Sequence, residues 1–115
     1  MNMKQLDEQV WVAPQISIED VAALAEQGFK CVMCNRPDGE DAGQPDWDDI
    51  AEACAAHGMV ARYVPLAGRD LTDYAVHGFA EAMRETEGKL FAYCRSGTRC
   101  EILWNAVKAT AEAGA

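Results

Sequence analysis

Residues 89–100 read KLFAYCRSGTRC and combine an apolar run, a glycine-containing loop and the start of a helical pattern. The first five residues form a short apolar run of strand length, and a helical pattern follows from about Arg99. Between the two, Cys94 stands directly before a loop that contains two arginines, two hydroxyl residues and a glycine. The segment therefore predicts a strand, a tight loop that begins with a thiol, and a helix.

The rest of the chain follows the same alternation. Strands are predicted at residues 10–13, 30–35, 60–66 and 89–93, and helices at about 17–28, 46–57, 71–87 and 99–113. Alternation with connections of this length predicts an α/β fold with three αβα layers and a central, mostly parallel sheet of about four or five strands. We expect residues 1–115 to form a single domain.

The composition limits the partners and the location. Half of the residues are hydrophobic and the net charge is −9. Because nucleic acid and anionic membranes attract positive surfaces, we expect neither as a partner, but a local loop can still bind a small anion. No stretch approaches the roughly 18–20 apolar residues of a membrane span, and no export signal is recognisable, so we expect a cytoplasmic protein. The oligomeric state does not follow from the sequence.

The five cysteines lack the spacing of a disulfide framework. We expect free thiols, as in a reducing compartment. Cys31 and Cys34 lie three apart in a predicted strand, so their side chains point to opposite faces and do not converge on a metal. We predict no metal and no cofactor.

Three loops leave predicted parallel strands at the same edge of the sheet. They are NRPDGE at 35–40, AGRD at 67–70 and CRSGTR at 94–99. Ligands of open parallel sheets bind outside the carboxyl ends of the strands, so the site is predicted where these loops meet.

The loop CRSGTR has the composition of an anion-binding site. Amides around Gly97 can turn inward as a nest at the helix N-terminus, and Arg99 can grip two oxygens of a tetrahedral anion. These groups would lower the pKa of Cys94 from about 8.5 and make it a nucleophilic thiolate, with hydroxyl hydrogen bonds from Ser96 and Thr98. The alternative to an anion-binding site is an ordinary strand-to-helix turn that contains a buried cysteine. The predicted substrate-binding residues of the loop are Arg95, Ser96, Gly97 and Thr98.

This loop resembles the anion loop of the protein tyrosine/dual-specificity phosphatase superfamily and of rhodaneses. More narrowly, QISIEDVAALAEQGFKCVMCNRPDGE, YVPL and AYCRSGTRCEILW are similar to the bacterial beta-lactamase-hydrolase-like phosphatase domain family, which is also called a sulfur transferase family. The resemblance covers residues 10–104. It implies a compact phosphatase-like fold with Cys94 as the nucleophile and Arg99 as the anion binder.

The loop departs from the phosphatase pattern in one spacing and at two positions. Four residues separate Cys94 from Arg99, one fewer than in such phosphatases and the same as in rhodaneses. Tyr93 stands where those phosphatases usually carry histidine, and Cys100 stands where serine or threonine is common. Cys100 would resolve an oxidised or persulfidated Cys94, but the preferred interpretation is a small residue that points away from the loop.

A phosphatase also needs a general acid, and phosphatase relatives place an aspartate on the loop after the preceding strand. Asp70 is the first choice and Asp73 the second. Both also have a structural explanation, with Asp70 as a helix N-cap and Asp73 in the first helical turn.

The loop NRPDGE offers further candidates. We predict that Asn35 and Arg36 help to bind the anion and that Asp38 orients Arg99. The equally good alternative is an ordinary turn, because Asn, Pro, Asp and Gly are turn residues.

Three functions fit these residues, each with an anionic substrate. The first is a cysteine-dependent phosphohydrolase, a hydrolase acting on a phosphoester through Cys94, Arg99 and Asp70. The second is a rhodanese-like sulfurtransferase that takes sulfur from a sulfane-sulfur donor as a Cys94 persulfide. The third is a non-catalytic anion-binding or redox-sensing module that uses Cys94 with Cys100.

Overall fold

Five strands form one mixed sheet in the computed structural model, which describes residues 1–113. The sheet order is β1-β2-β5-β3-β4. β1 is antiparallel to β2, and the other neighbouring strands are parallel. The predicted domain of 1–115 extends two residues beyond the described part. The strands are β1 (Lys4–Gln5), β2 (Val10–Ala13), β3 (Phe29–Cys34), β4 (Val60–Tyr63) and β5 (Lys89–Tyr93).

Helices cover both faces of this sheet. Leu24 of the first helix and Ile50 of the second pack on one face, and Phe79 of the third and Leu103 of the fourth pack on the other. All four side chains are fully buried. This arrangement confirms the predicted αβα fold with a mostly parallel sheet. The helices are α1 (Ile18–Glu26), α2 (Trp47–Ala56), α3 (Asp73–Glu85) and α4 (Thr98–Ala113).

Two of the boundaries that differ from the sequence prediction lie close to the predicted site. β4 ends at Tyr63 rather than at Leu66, although the chain beyond it stays tied to the sheet edge through the bond from Leu66 N to Asn35 O at 3.1 Å. α3 begins after Thr72, whose Oγ1 accepts a hydrogen bond from Ala75 N at 3.1 Å, so Thr72 rather than Asp70 is the N-cap. β1 was not predicted, because two residues are too short to show a strand periodicity.

The parallel register brings the three predicted loops to one edge. β5 lies between β2 and β3, and β4 follows β3, so the loops after β3, β4 and β5 leave the sheet on the same side. Asn35 N donates to Tyr93 O at 2.8 Å, which joins the ends of β3 and β5 directly.

No helix within residues 1–113 combines the length and the apolar character that crossing a membrane requires.

Candidate functional site

The loop after β5 closes around the sulfur of Cys94. Gly97 N donates to Cys94 Sγ at 3.0 Å, and the backbone amides of Cys100, Ser96 and Arg99 also help to lower the pKa of this sulfur. Gly97 has φ +91°, in the left-handed region that disfavours a side chain. These amides form the predicted nest at the N-terminus of α4.

The nest makes Cys94 acidic. The hydrogen bond from the Cys100 side chain is the largest cause, and with the backbone amides it outweighs burial and lowers the pKa of Cys94 to about 5. Burial instead raises the pKa of the Cys31, Cys34 and Cys54 thiols. Cys94 is therefore a thiolate at neutral pH, while those three thiols remain protonated.

Cys100 is a small buried residue at the start of α4, as the preferred interpretation expects, and its thiol also lowers the pKa of Cys94. α4 begins at Thr98, which places Cys100 in the first helical turn beside the loop. It is fully buried, and burial raises its pKa well above the usual range, so its S–H remains available to the thiolate.

The hydroxyl groups predicted to donate to the Cys94 sulfur contact each other, since Ser96 Oγ donates to Thr98 Oγ1 at 3.0 Å.

The five cysteines are all free and buried. No group of three His, Cys, Asp or Glu side chains in the described part of the chain is placed to hold a metal ion.

Fixed contacts orient the guanidinium of Arg99. Nη1 donates to Glu40 Oε2 at 2.8 Å and to Leu66 O at 2.9 Å, and Nη2 donates to Glu40 Oε1 at 2.8 Å. A guanidinium carries five N–H groups, so these three bonds leave Nε–H and one N–H of Nη2. Such a pair can bind two oxygens of one anion. Glu40 is the largest cause of the raised pKa of Arg99, and the Cys94 sulfur helps to raise it, so the guanidinium lies close enough to the nest to attract the thiolate.

Glu40 is the site residue that sequence reasoning missed. The prediction assigned the orientation of Arg99 to Asp38, but Asp38 Oδ1 accepts from Trp47 N at 2.9 Å at the start of α2. Glu40 Oε1 also accepts from Arg36 Nε at 2.8 Å. The Arg99 guanidinium, and after it Arg36, hold the pKa of Glu40 at about 2, so its carboxylate stays ionised. The available signal was its place as the last residue of NRPDGE, four residues after Arg36.

Asn35 and Arg36 support the loops, and the structure does not bring their side chains to the cleft. Asn35 is fully buried, and its Nδ2 donates to Val64 O at 2.8 Å. Arg36 is 2% exposed. Its three side-chain nitrogens are occupied by Glu40, Gln15 and Asp41. The predicted role of these two residues in substrate binding therefore does not fit their positions.

A cleft of about 400 Å³ lies at the outer side of the thiol loop. Cys94 is 0% exposed, so the loop separates its sulfur from the cleft, and an anion must displace part of that loop to reach it. The cleft is lined by Glu40, Gly68, Arg69, Arg95, Ser96, Thr98 and Arg99.

The two candidate acids lie in different places. Asp70 is exposed and directly follows Arg69, but it is not part of the cleft lining. Asp73 lines a separate groove with Tyr63 and His77. Asp70 is therefore next in sequence to a residue that lines the cleft, whereas Asp73 lines a different groove.

Comparison with known proteins identifies relatives over nearly the whole chain. The family model described as "Beta-lactamase hydrolase-like protein, phosphatase-like domain" matches residues 2–111. A beta-lactamase hydrolase-like protein from Agrobacterium fabrum is 36% identical over 104 residues, which are 90% of this chain and 24% of that protein. One from Xylella fastidiosa is 29% identical with the same coverage. The chain thus spans about a quarter of the length of these curated relatives.

Solved structures show the same fold. A phosphatase candidate from Neisseria meningitidis Z2491 has a TM-score of 0.82 and 35% identity, with 91% of this chain and 75% of that chain covered. The core catalytic domain of the PP-IP phosphatase SIW14 from S. cerevisiae has a TM-score of 0.66 and 14% identity, covering 89% of this chain and 62% of that one. At that identity the second likeness shows the fold alone. The fold is therefore phosphatase-like.

We predict that alkylation of Cys94 by iodoacetamide rises with pH around a midpoint near 5, because its rate follows the thiolate fraction. Cys100→Ala removes the largest stabilising hydrogen bond and is expected to raise this midpoint. Cys100→Ser retains a donor and is expected to keep the midpoint low. Peptide mapping by mass spectrometry measures the rate at Cys94 alone. A wild-type midpoint near the ordinary value of about 8.5, or equal shifts in the two variants, would contradict this account.

Proposed function

This chain belongs to the phosphatase-like domain family of beta-lactamase hydrolase-like proteins, and we propose that it is a cysteine-dependent phosphohydrolase. The observation that supports this most is the pairing of an acidic thiol with an anion-binding loop. Gly97 N lies 3.0 Å from Cys94 Sγ, and Arg99 presents Nε–H and one Nη2–H beside it. A phosphate monoester supplies both the electrophilic phosphorus and the oxygens that these donors bind.

In the proposed reaction, the Cys94 thiolate attacks phosphorus, and the bond from phosphorus to the ester oxygen breaks. Arg99 and the loop amides stabilise the charge on the other phosphoryl oxygens. The leaving oxygen receives a proton from a general acid. Water then attacks the thiophosphate, the P–S bond breaks, and inorganic phosphate leaves while the acid recovers its proton from water.

Glu40 is a positioning residue in this reaction rather than the acid. Its pKa of about 2 means that it has no proton to give near neutral pH. Its two oxygens hold Arg99 end-on, which leaves the Nε side of the guanidinium for the substrate.

We assign leaving-group protonation to Asp70. It is exposed on the loop whose preceding residues, Gly68 and Arg69, line the cleft. Asp73 lines another groove and is the matched control.

The matched family and the neighbouring structures are phosphatase-like, so they do not favour the sulfur-transfer alternative. The same protein preparation nevertheless separates the two reactions, because thiosulfate with a thiol acceptor yields sulfide or persulfide only if sulfur is transferred.

The first test is hydrolysis of 4-nitrophenyl phosphate. We expect release of nitrophenol by the wild type and none by Cys94→Ser. Arg99→Lys, which loses the two-pronged contact, is expected to lower kcat by roughly 10²–10³-fold. Arg84→Lys on the exposed side of α3 is the control and is expected to retain full activity. Thiosulfate turnover without phosphate release would overturn the proposal.

The second test concerns the acid. Asp70→Asn is expected to lower kcat for phenyl phosphate by roughly 100-fold, because phenol is a poor leaving group that needs the proton. With 4-nitrophenyl phosphate, whose leaving group is more acidic, the loss is expected to be much smaller. Asp73→Asn is expected to leave both rates unchanged. Equal losses on the two substrates, or a larger loss in Asp73→Asn, would remove Asp70 from the mechanism.

A further inference from the structure

Cationic side chains are concentrated in the cleft beside the thiol loop. The chain carries ten Lys and Arg residues against nineteen Asp and Glu, yet three of its arginines, Arg69, Arg95 and Arg99, are among the seven residues that line this one cleft. The acidic group in the lining, Glu40, is already paired with Arg99 and with Arg36. The cleft is therefore locally positive on an acidic protein.

The loop that carries Arg69 is attached to the catalytic arginine. Leu66 O accepts from Arg99 Nη1 at 2.9 Å, and Leu66 N donates to Asn35 O at 3.1 Å. Gly68 then turns the chain with φ +64°. Arg69 follows this turn with its side chain exposed, and within residues 1–113 no carboxylate forms an ion pair with it.

Arg95 is also largely available. It directly follows the nucleophile, and its side chain is 67% exposed. Asp41 Oδ2 lies 3.6 Å from Arg95 Nε, but the same oxygen is 2.6 Å from Nη2 of the buried Arg36. Asp41 is therefore held mainly by Arg36 and binds Arg95 only weakly.

One phosphoryl group does not account for all three arginines. The nest and the remaining edge of Arg99 already supply the donors that a single phosphoryl group needs. We propose that Arg69 and Arg95 form a second anion subsite, and that the preferred substrate is a small molecule carrying two phosphoryl groups. This inference rests on the proposed function, since the first phosphoryl group is the one that Cys94 attacks.

The dimensions and charge of the protein favour a small substrate. A cleft of about 400 Å³ has the volume of a small-molecule pocket. With a net charge of −9, the rest of the surface repels an extended polyanion, whereas a compact one contacts only the arginine cluster.

The test measures binding without turnover. Cys94→Ser protein is titrated calorimetrically with orthophosphate, pyrophosphate and tripolyphosphate at fixed ionic strength. We expect the linked phosphates to bind about tenfold more tightly than orthophosphate, because additional charge-assisted hydrogen bonds form at the second subsite. Adding Arg69→Ala or Arg95→Ala to the Cys94→Ser protein is expected to remove most of the preference for linked phosphates over orthophosphate. Adding Arg84→Ala, which removes the same charge from α3 outside the cleft, is expected to keep it.

The outcomes separate this inference from the function on which it rests. Tight orthophosphate binding without a preference for linked phosphates overturns the second subsite alone. A preference that falls equally in Arg69→Ala and Arg84→Ala overturns it too, since general attraction then explains the effect. Absence of binding by all three anions overturns both the subsite and the proposed phosphatase site.

Discussion

The ionised sulfur of Cys94 is the group on which the rest of the site depends. A thiolate in a buried position is costly, and here amides of the loop and the Cys100 thiol offset that cost. The arrangement requires Gly97 with its positive φ, a helix that begins at Thr98, and a strand that ends at Tyr93. The strand–loop–helix unit is thus both the central element of the fold and the part of the chain that lowers the pKa of Cys94.

A second layer of contacts joins the three loops into one site. Glu40 from the loop after β3 and the Leu66 carbonyl beyond β4 both bind Arg99 of α4. Arg36, which is almost fully buried, donates a hydrogen bond from Nε to Glu40 Oε1. Removing one member would leave a buried charge without its partner, which is why such networks are costly to disrupt. The network also explains how a protein of net charge −9 keeps a positive cleft.

The sequence predicts the scaffold better than the second layer. The apolar run at residues 89–93 and the glycine loop after it are local features, and they correctly indicate the strand, the loop and the helix around Cys94. Glu40 was missed because its role depends on a contact with Arg99, 59 residues away along the chain. The effect of the Cys100 thiol on Cys94 was not predicted, because it depends on where α4 begins, and helix boundaries cannot be fixed to one residue from sequence. Asn35 and Arg36 carry groups that could bind an anion, but in the fold these groups donate hydrogen bonds to other residues of the protein.

A crystal structure with orthovanadate, a mimic of phosphoryl transfer, would show whether Cys94 and its loop bind a phosphoryl group. We expect vanadium bonded to Cys94 Sγ, oxygens held by the loop amides and by Nε and Nη2 of Arg99, and a loop that has opened enough to admit the ion. Glu40 is expected to remain on Nη1 and Nη2. Vanadate bound elsewhere, with the loop still closed over an unmodified Cys94, would contradict this expectation.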